Sequence, residues 1–156
     1  DLDITWHLIG HLQSNKAARA RELFNWVHSV DSVHVAQKLD QAATGGGERL
    51  PVLLQVNLGQ EESKSGVRES GLAGLAPEVS RLKSLEVRGL MVIPPFYENP
   101  EDARRYFSRL RDLARSLAAP QAPMRELSMG MSHDFEVAIE EGATMIRVGT
   151  AIFGRR

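Results

Sequence analysis

The stretch from Glu126 to Thr150, ELSMGMSHDFEVAIEEGATMIRVGT, decides how this chain folds. A short apolar run (Glu126 to Met129) enters a glycine turn, an amphipathic segment follows (Asp134 to Glu141), and a second apolar run (Met145 to Val148) ends in another glycine turn. Two short β-formers separated by a helical pattern are a βα repeat, the building block of a parallel sheet. Both runs are apolar on both faces, as strands covered by helices must be.

Outward from this unit the same alternation recurs. Further strands are expected at Ile4 to Ile9, Trp26 to Val30, Val52 to Val56 and Val87 to Val92, with helices at about Asn15 to Phe24, Val33 to Ala43, Ser70 to Leu82 and Pro100 to Leu117. In the last helix Ala103, Phe107, Leu110, Leu113 and Leu117 recur at helical spacing beside a face of arginines, which reads as a core stripe with a solvated basic side. Gly45 to Gly47 reads as a surface loop, and Pro94-Pro95 stops a strand before Asn99 and Pro100 start a helix. The result is about six βα units in a single domain over residues 1–156, without a linker or tandem repeat. Such a series builds either an open doubly wound sheet or a (β/α) barrel.

In both architectures functional groups gather at the carboxyl ends of the strands. Those ends read GHLQSNK, SVDS, QVNLGQEESKSG, MVIPP, SMGMSHD and RVGTAIFG, and they hold nearly every conspicuous polar or glycine residue. The opposite ends, RLPV, KSLEV and GATM, carry little chemistry.

Composition bounds the function. The chain has 156 residues, 42% hydrophobic and 25% charged, inside the ordinary range of soluble globular domains. A folded monomer of this mass would expose roughly 7,800 Å² out of roughly 25,000 Å² for the open chain, enough burial for one core. Nineteen basic against twenty acidic residues give a net charge of −1, so there is no bulk positive field for nucleic acid or an anionic membrane. An anion site must therefore be local. With no cysteine, disulfides, zinc ribbons and thiol catalysis drop out, and a cytoplasmic address is favoured. No apolar run approaches the roughly eighteen residues of a membrane span, and DLDITWH lacks the features of a leader. The sequence also starts without methionine at the foot of an apolar run, from which an upstream segment is expected.

Four positions stand out as candidate ligand contacts. Ser132 follows a glycine turn at the start of a helix, where free backbone N–H groups favour an anion; the alternative is a plain helix cap. Gly149 and Thr150 form a second such turn, and in a (β/α)8 barrel the loops after the last two strands make the common phosphate site. Arg147 is an arginine inside an apolar strand, and a buried guanidinium needs partners, either an ion pair or a ligand. His7 and His11 are four apart but lie in a strand and its turn, where the spacing does not converge on a metal, so no metal site is expected. His7 remains a pocket candidate. His28, His34 and His133 read as satisfied or surface imidazoles, and Phe96 and Phe107 as core. Of only four lysines, Lys16 and Lys64 fall on the ligand side.

HLIGHLQSNK, SVDS, LLQVNLGQEESKSG, GLMVIPP, LSMGMSHDFEVAIEEGAT and IRVGTAIFGRR together resemble the pyridoxal-phosphate-binding homeostasis proteins, alanine-racemase-like single-domain barrels. The resemblance covers nearly the whole chain, with its segments in order and correctly spaced. It implies a (β/α)8 barrel of TIM type, pyridoxal 5′-phosphate as the cofactor, a role in vitamin B6 and amino-acid homeostasis without established turnover, and a cytoplasmic, monomeric protein. Carried over by position, Ser132 resembles the family's phosphate-contacting serine, and Gly149 and Thr150 look like the groups closing on the same phosphate. Arg147 resembles the arginine facing the pyridine nitrogen, and His7, Asn57 and Lys64 look like pocket neighbours. No residue is assigned a catalytic role.

In the family the lysine that carries the cofactor lies on the first barrel strand, and this chain opens at what looks like the third. Two leading strands and that lysine are thus expected upstream of Asp1. The other readings are an amino-acid racemase of related fold, which would need a second domain with a catalytic tyrosine, and a barrel that binds another phosphorylated metabolite.

Overall fold

A computed structural model describes residues 2–59 and 65–154. Seven strands form one sheet in which every described pairing is parallel: β1 (His7–Leu8), β2 (Trp26–Val30), β3 (Leu50–Asn57), β4 (Val67–Arg68), β5 (Leu85–Val92), β6 (Glu126–Met131) and β7 (Met145–Arg147). Their order is β1-β2-β3-β5-β6-β7, with β4 paired to the end of β3 through Val56↔Val67 and Asn57↔Arg68. The connections carry α1 (Ala17–Leu23), α2 (Val33–Ala43), α3 (Glu69–Ser80), α4 (Arg104–Leu117) and α5 (Phe135–Glu140), and α6 (Thr150–Phe153) follows β7. This is the parallel wall of a (β/α) barrel with about six βα units; the alternation of the sequence implied the units, and the family resemblance the barrel.

The central strands show why. Val52, Leu53 and Leu54 of β3 and Leu90, Met91 and Val92 of β5 are all fully buried, so both faces of the sheet are covered along its middle. Helices supply the outer cover through single stripes. Val35, Ala36, Leu39 and Ala43 of α2 are buried at helical spacing, and Ser32 caps the helix by accepting from the Val35 N–H at 3.3 Å. On α4, Phe107, Leu110 and Ala114 face inward, while Arg104 and Arg111 on the outer side grip Glu140 and Glu141 around α5. Half-exposed pairs of this kind orient neighbouring helices more than they stabilise them.

Strand β2 and helix α2 match their expected limits from end to end. The first strand is shorter than the run Ile4 to Ile9. It lies at the sheet edge with β2 as its one described neighbour, and Asn25 caps the backbone N–H of Trp6 at 2.8 Å instead of a ladder partner. The start of the fourth helix is a tighter turn, Pro100–Ala103, begun by Asn99 accepting from the Glu101 N–H. Strand β4 and helix α6 have no counterpart in the reading of the sequence, because elements of two and four residues are too short to show a period.

One glycine sets the spacing of the sheet. A Cβ on Gly89 of β5 would stand 1.8 Å from the Glu126 carbonyl oxygen of β6, so only glycine lets these two strands approach at the start of their ladder, Gly89↔Glu126. The exposed area of 9183 Å² exceeds the roughly 7,800 Å² expected for a closed monomer of this mass. Part of the excess is the inner wall of the sheet, where Ile9, Ile93, Met131 and Ile146 are 38–39% exposed.

Candidate functional site

These inner side chains belong to a cleft of about 1000 Å³ at the carboxyl ends of β1, β2, β5, β6 and β7. Its polar groups come from both ends of the sheet, with His7 and His28 on one side and Ser132, His133, Arg147, Gly149 and Thr150 on the other. Apolar walls of Ile93, Pro94 and Val148 separate them. This is the end of a parallel sheet where ligands bind.

Arg147 forms the floor. Its side chain is 9% exposed; Nη1 donates to Ser128 Oγ at 2.7 Å and Nη2 to the Val92 carbonyl at 2.8 Å. It makes no ion pair among the described residues, and its Nε is buried without a hydrogen-bond partner. Burial lowers the guanidinium pKa to about 10, against the raising field of Asp134, so it stays charged at neutral pH. The ion-pair reading of this arginine does not hold; a cation is kept here by neutral groups, with donor capacity to spare.

Beside it, two turns meet. Ser132 Oγ accepts from the Gly149 N–H at 2.9 Å and the Ala151 N–H at 3.3 Å, so the serine does not cap the following helix α5; it joins the end of β6 to the first turn of α6. Asp134 accepts from the Met131 N–H at 2.6 Å and closes the turn. Open space surrounds Gly149, where a Cβ would find no atom within 4 Å. Ser132 Oγ thus engages both backbone donors and keeps its own hydroxyl hydrogen to donate beside the open space at Gly149, where an anion would find a donor.

At the other end His7 and His28 are linked, Nδ1 to Nε2, at 2.8 Å, and His28 Nδ1 lies 2.9 Å from Ser128 Oγ. The His7 ring stacks on Trp26 with centroids 5.4 Å apart. Burial, then the charges of His7 and Arg147, push the pKa of His28 down to about 4, and burial lowers that of His7.

The structure therefore brings His7, Ser132, Arg147, Gly149 and Thr150 to one cleft. Asn57 lies elsewhere, lining a separate cavity of about 740 Å³ with Arg68, Leu72 and Leu117. Lys64 lies outside the described residues. Lys16 faces a third groove beside His11 and Leu12. Phe96, expected in the core, is 77% exposed at the cleft rim, packed against His133 with centroids 5.2 Å apart; the proline pair before it carries it out past the end of β5. His28 and Ser128 were not singled out as site residues. His28 is 2% exposed, one of the satisfied imidazoles, and the polar residues inside two apolar strands were the available signal.

Over residues 2–156 the sequence matches the family described as alanine racemase, N-terminal domain. The chain belongs to that family. Within it, the chain belongs with the pyridoxal phosphate homeostasis proteins: it is 46% identical to the one from Aquifex aeolicus, a match covering 100% of this chain and 69% of that relative. Among solved structures, PipY of Synechococcus elongatus without PLP superposes with a TM-score of 0.90 at 45% identity, covering 97% of this chain and 72% of that one. The structure of PipY with PLP bound gives 0.89 at 44% identity, over 98% and 72% of the two chains. The chain thus spans about two thirds to three quarters of these alanine-racemase-type relatives.

Proposed function

We propose that this chain is the main part of a pyridoxal 5′-phosphate-binding barrel, acting in vitamin B6 and amino-acid homeostasis as a holder of the cofactor, without established catalytic turnover. The observation that carries the reading is the buried Arg147, charged, without an ion pair among the described residues and with an Nε that has no hydrogen-bond partner, beside the Ser132 hydroxyl and Gly149. The relatives named for this cofactor, and PipY with PLP bound, support it.

The residues present fit the group. Ser132, Gly149 and Thr150 would hold the phosphate, Arg147 would face the ring nitrogen, and His7 would stand on the opposite wall; Asn57, which lines the separate cavity, is not part of this set, and Lys64 stays a candidate neighbour. Bound here, pyridoxal phosphate supplies an electrophilic aldehyde and an electron-accepting ring. An arginine at the ring nitrogen donates a hydrogen bond without giving up its proton, so it orients the ring and keeps that nitrogen unprotonated. Ile93, Pro94 and Val148 line the cleft and would offer the ring apolar walls.

The proposal includes a cytoplasmic monomer that binds a small molecule and neither nucleic acid nor membrane. The lack of cysteine and the net charge of −1 favour it, and among the described residues no helix is long and apolar enough to cross a membrane.

The test is a titration of the chain with pyridoxal 5′-phosphate, followed by absorbance and by competition with inorganic phosphate. Saturable binding that phosphate displaces is expected. Borohydride treatment should leave the cofactor unattached to Lys16, Lys38 and Lys83, none of which lines the cleft. Absence of saturable binding, or preference for an unrelated phosphate ester, would sink the reading.

A further inference from the structure

Ser128 is fully buried in the middle of the sheet, and its hydroxyl has two described partners, Arg147 Nη1 and His28 Nδ1. A guanidinium has donors only, so the bond from Nη1 runs toward Ser128 Oγ. A buried hydroxyl hydrogen needs an acceptor, and His28 Nδ1 at 2.9 Å is the one in reach. With Nδ1 accepting, a neutral His28 carries its hydrogen on Nε2, which is 2.8 Å from His7 Nδ1 and donates to it. His7 then carries its own hydrogen on Nε2. Each bond direction follows from the one before, and the arginine sets the first.

We propose that Arg147, Ser128, His28 and His7 form a one-way hydrogen-bond chain in which Ser128 and His28 are positioning residues that present His7 to the cleft as a donor. Stacking on Trp26 holds the plane of the His7 ring while the chain sets its tautomer. The suppressed basicity of both histidines keeps them neutral, as the chain requires. The cleft consequently meets a ligand with donors at both ends, His7 at β1 and Arg147 at β7. It selects molecules that offer acceptors on both sides, such as an unprotonated ring nitrogen and a phenolate or carbonyl oxygen, over those carrying an ammonium group there. This consequence rests on the cleft being the ligand site proposed above; the direction of the bonds does not.

Nitrogen-15 spectra of the labelled chain at pH 7, with no ligand added, read the direction through the N–H···N bond between the two rings. The expected result is a through-bond correlation from a proton on His28 Nε2 to His7 Nδ1, with both rings singly protonated. A proton on His7 Nδ1 or on His28 Nδ1, a doubly protonated ring, or no correlation at all would overturn the proposal. Ser128→Ala should weaken the correlation and Ser128→Thr, which keeps the hydroxyl, should restore it; an unchanged correlation in the alanine variant would show that Ser128 does not direct the chain. Wild-type spectra decide the matter even where the alanine variant does not fold. Adding pyridoxal 5′-phosphate to the same samples separates the two readings: the expected tautomers without binding would keep the chain of bonds and discard the proposed function, and binding with the opposite tautomers would do the reverse.

Discussion

Arg147 on β7 donates from Nη2 to the Val92 carbonyl at 2.8 Å, spanning β6 to reach the carboxyl end of β5. One side chain thereby ties three adjacent strands together at the end where the cleft opens. It does so through a carbonyl and a hydroxyl, which engage Nη2 and Nη1 without neutralising the charge. The positive charge is left to the cleft.

Arg147→Ala should therefore separate binding from folding. The lost bonds are worth about 1–3 kcal/mol, and relief of the buried charge offsets part of this. Pyridoxal phosphate affinity is expected to fall by about tenfold or more, while thermal melting shows a retained cooperative transition. A variant that fails to fold would mark the arginine as structural only.

Ser132→Ala tests the corner at Gly149. The substitution removes the acceptor for the Gly149 and Ala151 N–H groups and one contact to a bound phosphate. Affinity for pyridoxal 5′-phosphate is expected to drop by about tenfold, with affinity for unphosphorylated pyridoxal nearly unchanged. Equal losses for the two molecules would place the phosphate elsewhere.

Acid should destabilise the fold through the histidines. His28 titrates near 6.5 when unfolded and near 4 in the structure, so between these values the unfolded chain binds more protons. Its contribution is complete above about pH 6.5 and is lost as pH falls toward 4; His7 shifts in the same direction. Urea denaturation across this window should show falling stability, with a flatter profile in His28→Gln. An identical slope in that variant would assign the acid sensitivity to other groups.

Gly89→Ala should be among the most damaging single-methyl changes in the chain. The new Cβ would overlap the Glu126 carbonyl and force β5 from β6. A loss of about 3 kcal/mol or more is expected in chemical denaturation, against a small effect for Gly74→Ala, whose Cβ would meet open space.

Much of the fold was legible in the chain itself. Alternation of apolar runs with amphipathic stretches depends on residues a few positions apart, which is why the strand Trp26–Val30 and the helix Val33–Ala43 emerge with their true limits. The glycine turns at Ser132 and Gly149 were also visible, since backbone N–H groups at a strand-to-helix turn are a local feature. Tertiary structure decided the rest. His28 and Ser128 are 100 residues apart and Val92 and Arg147 are 55 apart, so no local pattern joins them. Phe96 looked like core because it is aromatic; its place at the cleft rim follows from the direction in which the chain leaves β5. The sequence by itself determined a parallel βα wall with its chemistry at one end. Only the folded sheet, by bringing β2 from across β3 and β5 to the neighbouring strands β6 and β7 around one cleft, determined which neutral partners hold the buried arginine and leave its charge without an ion pair among the described residues.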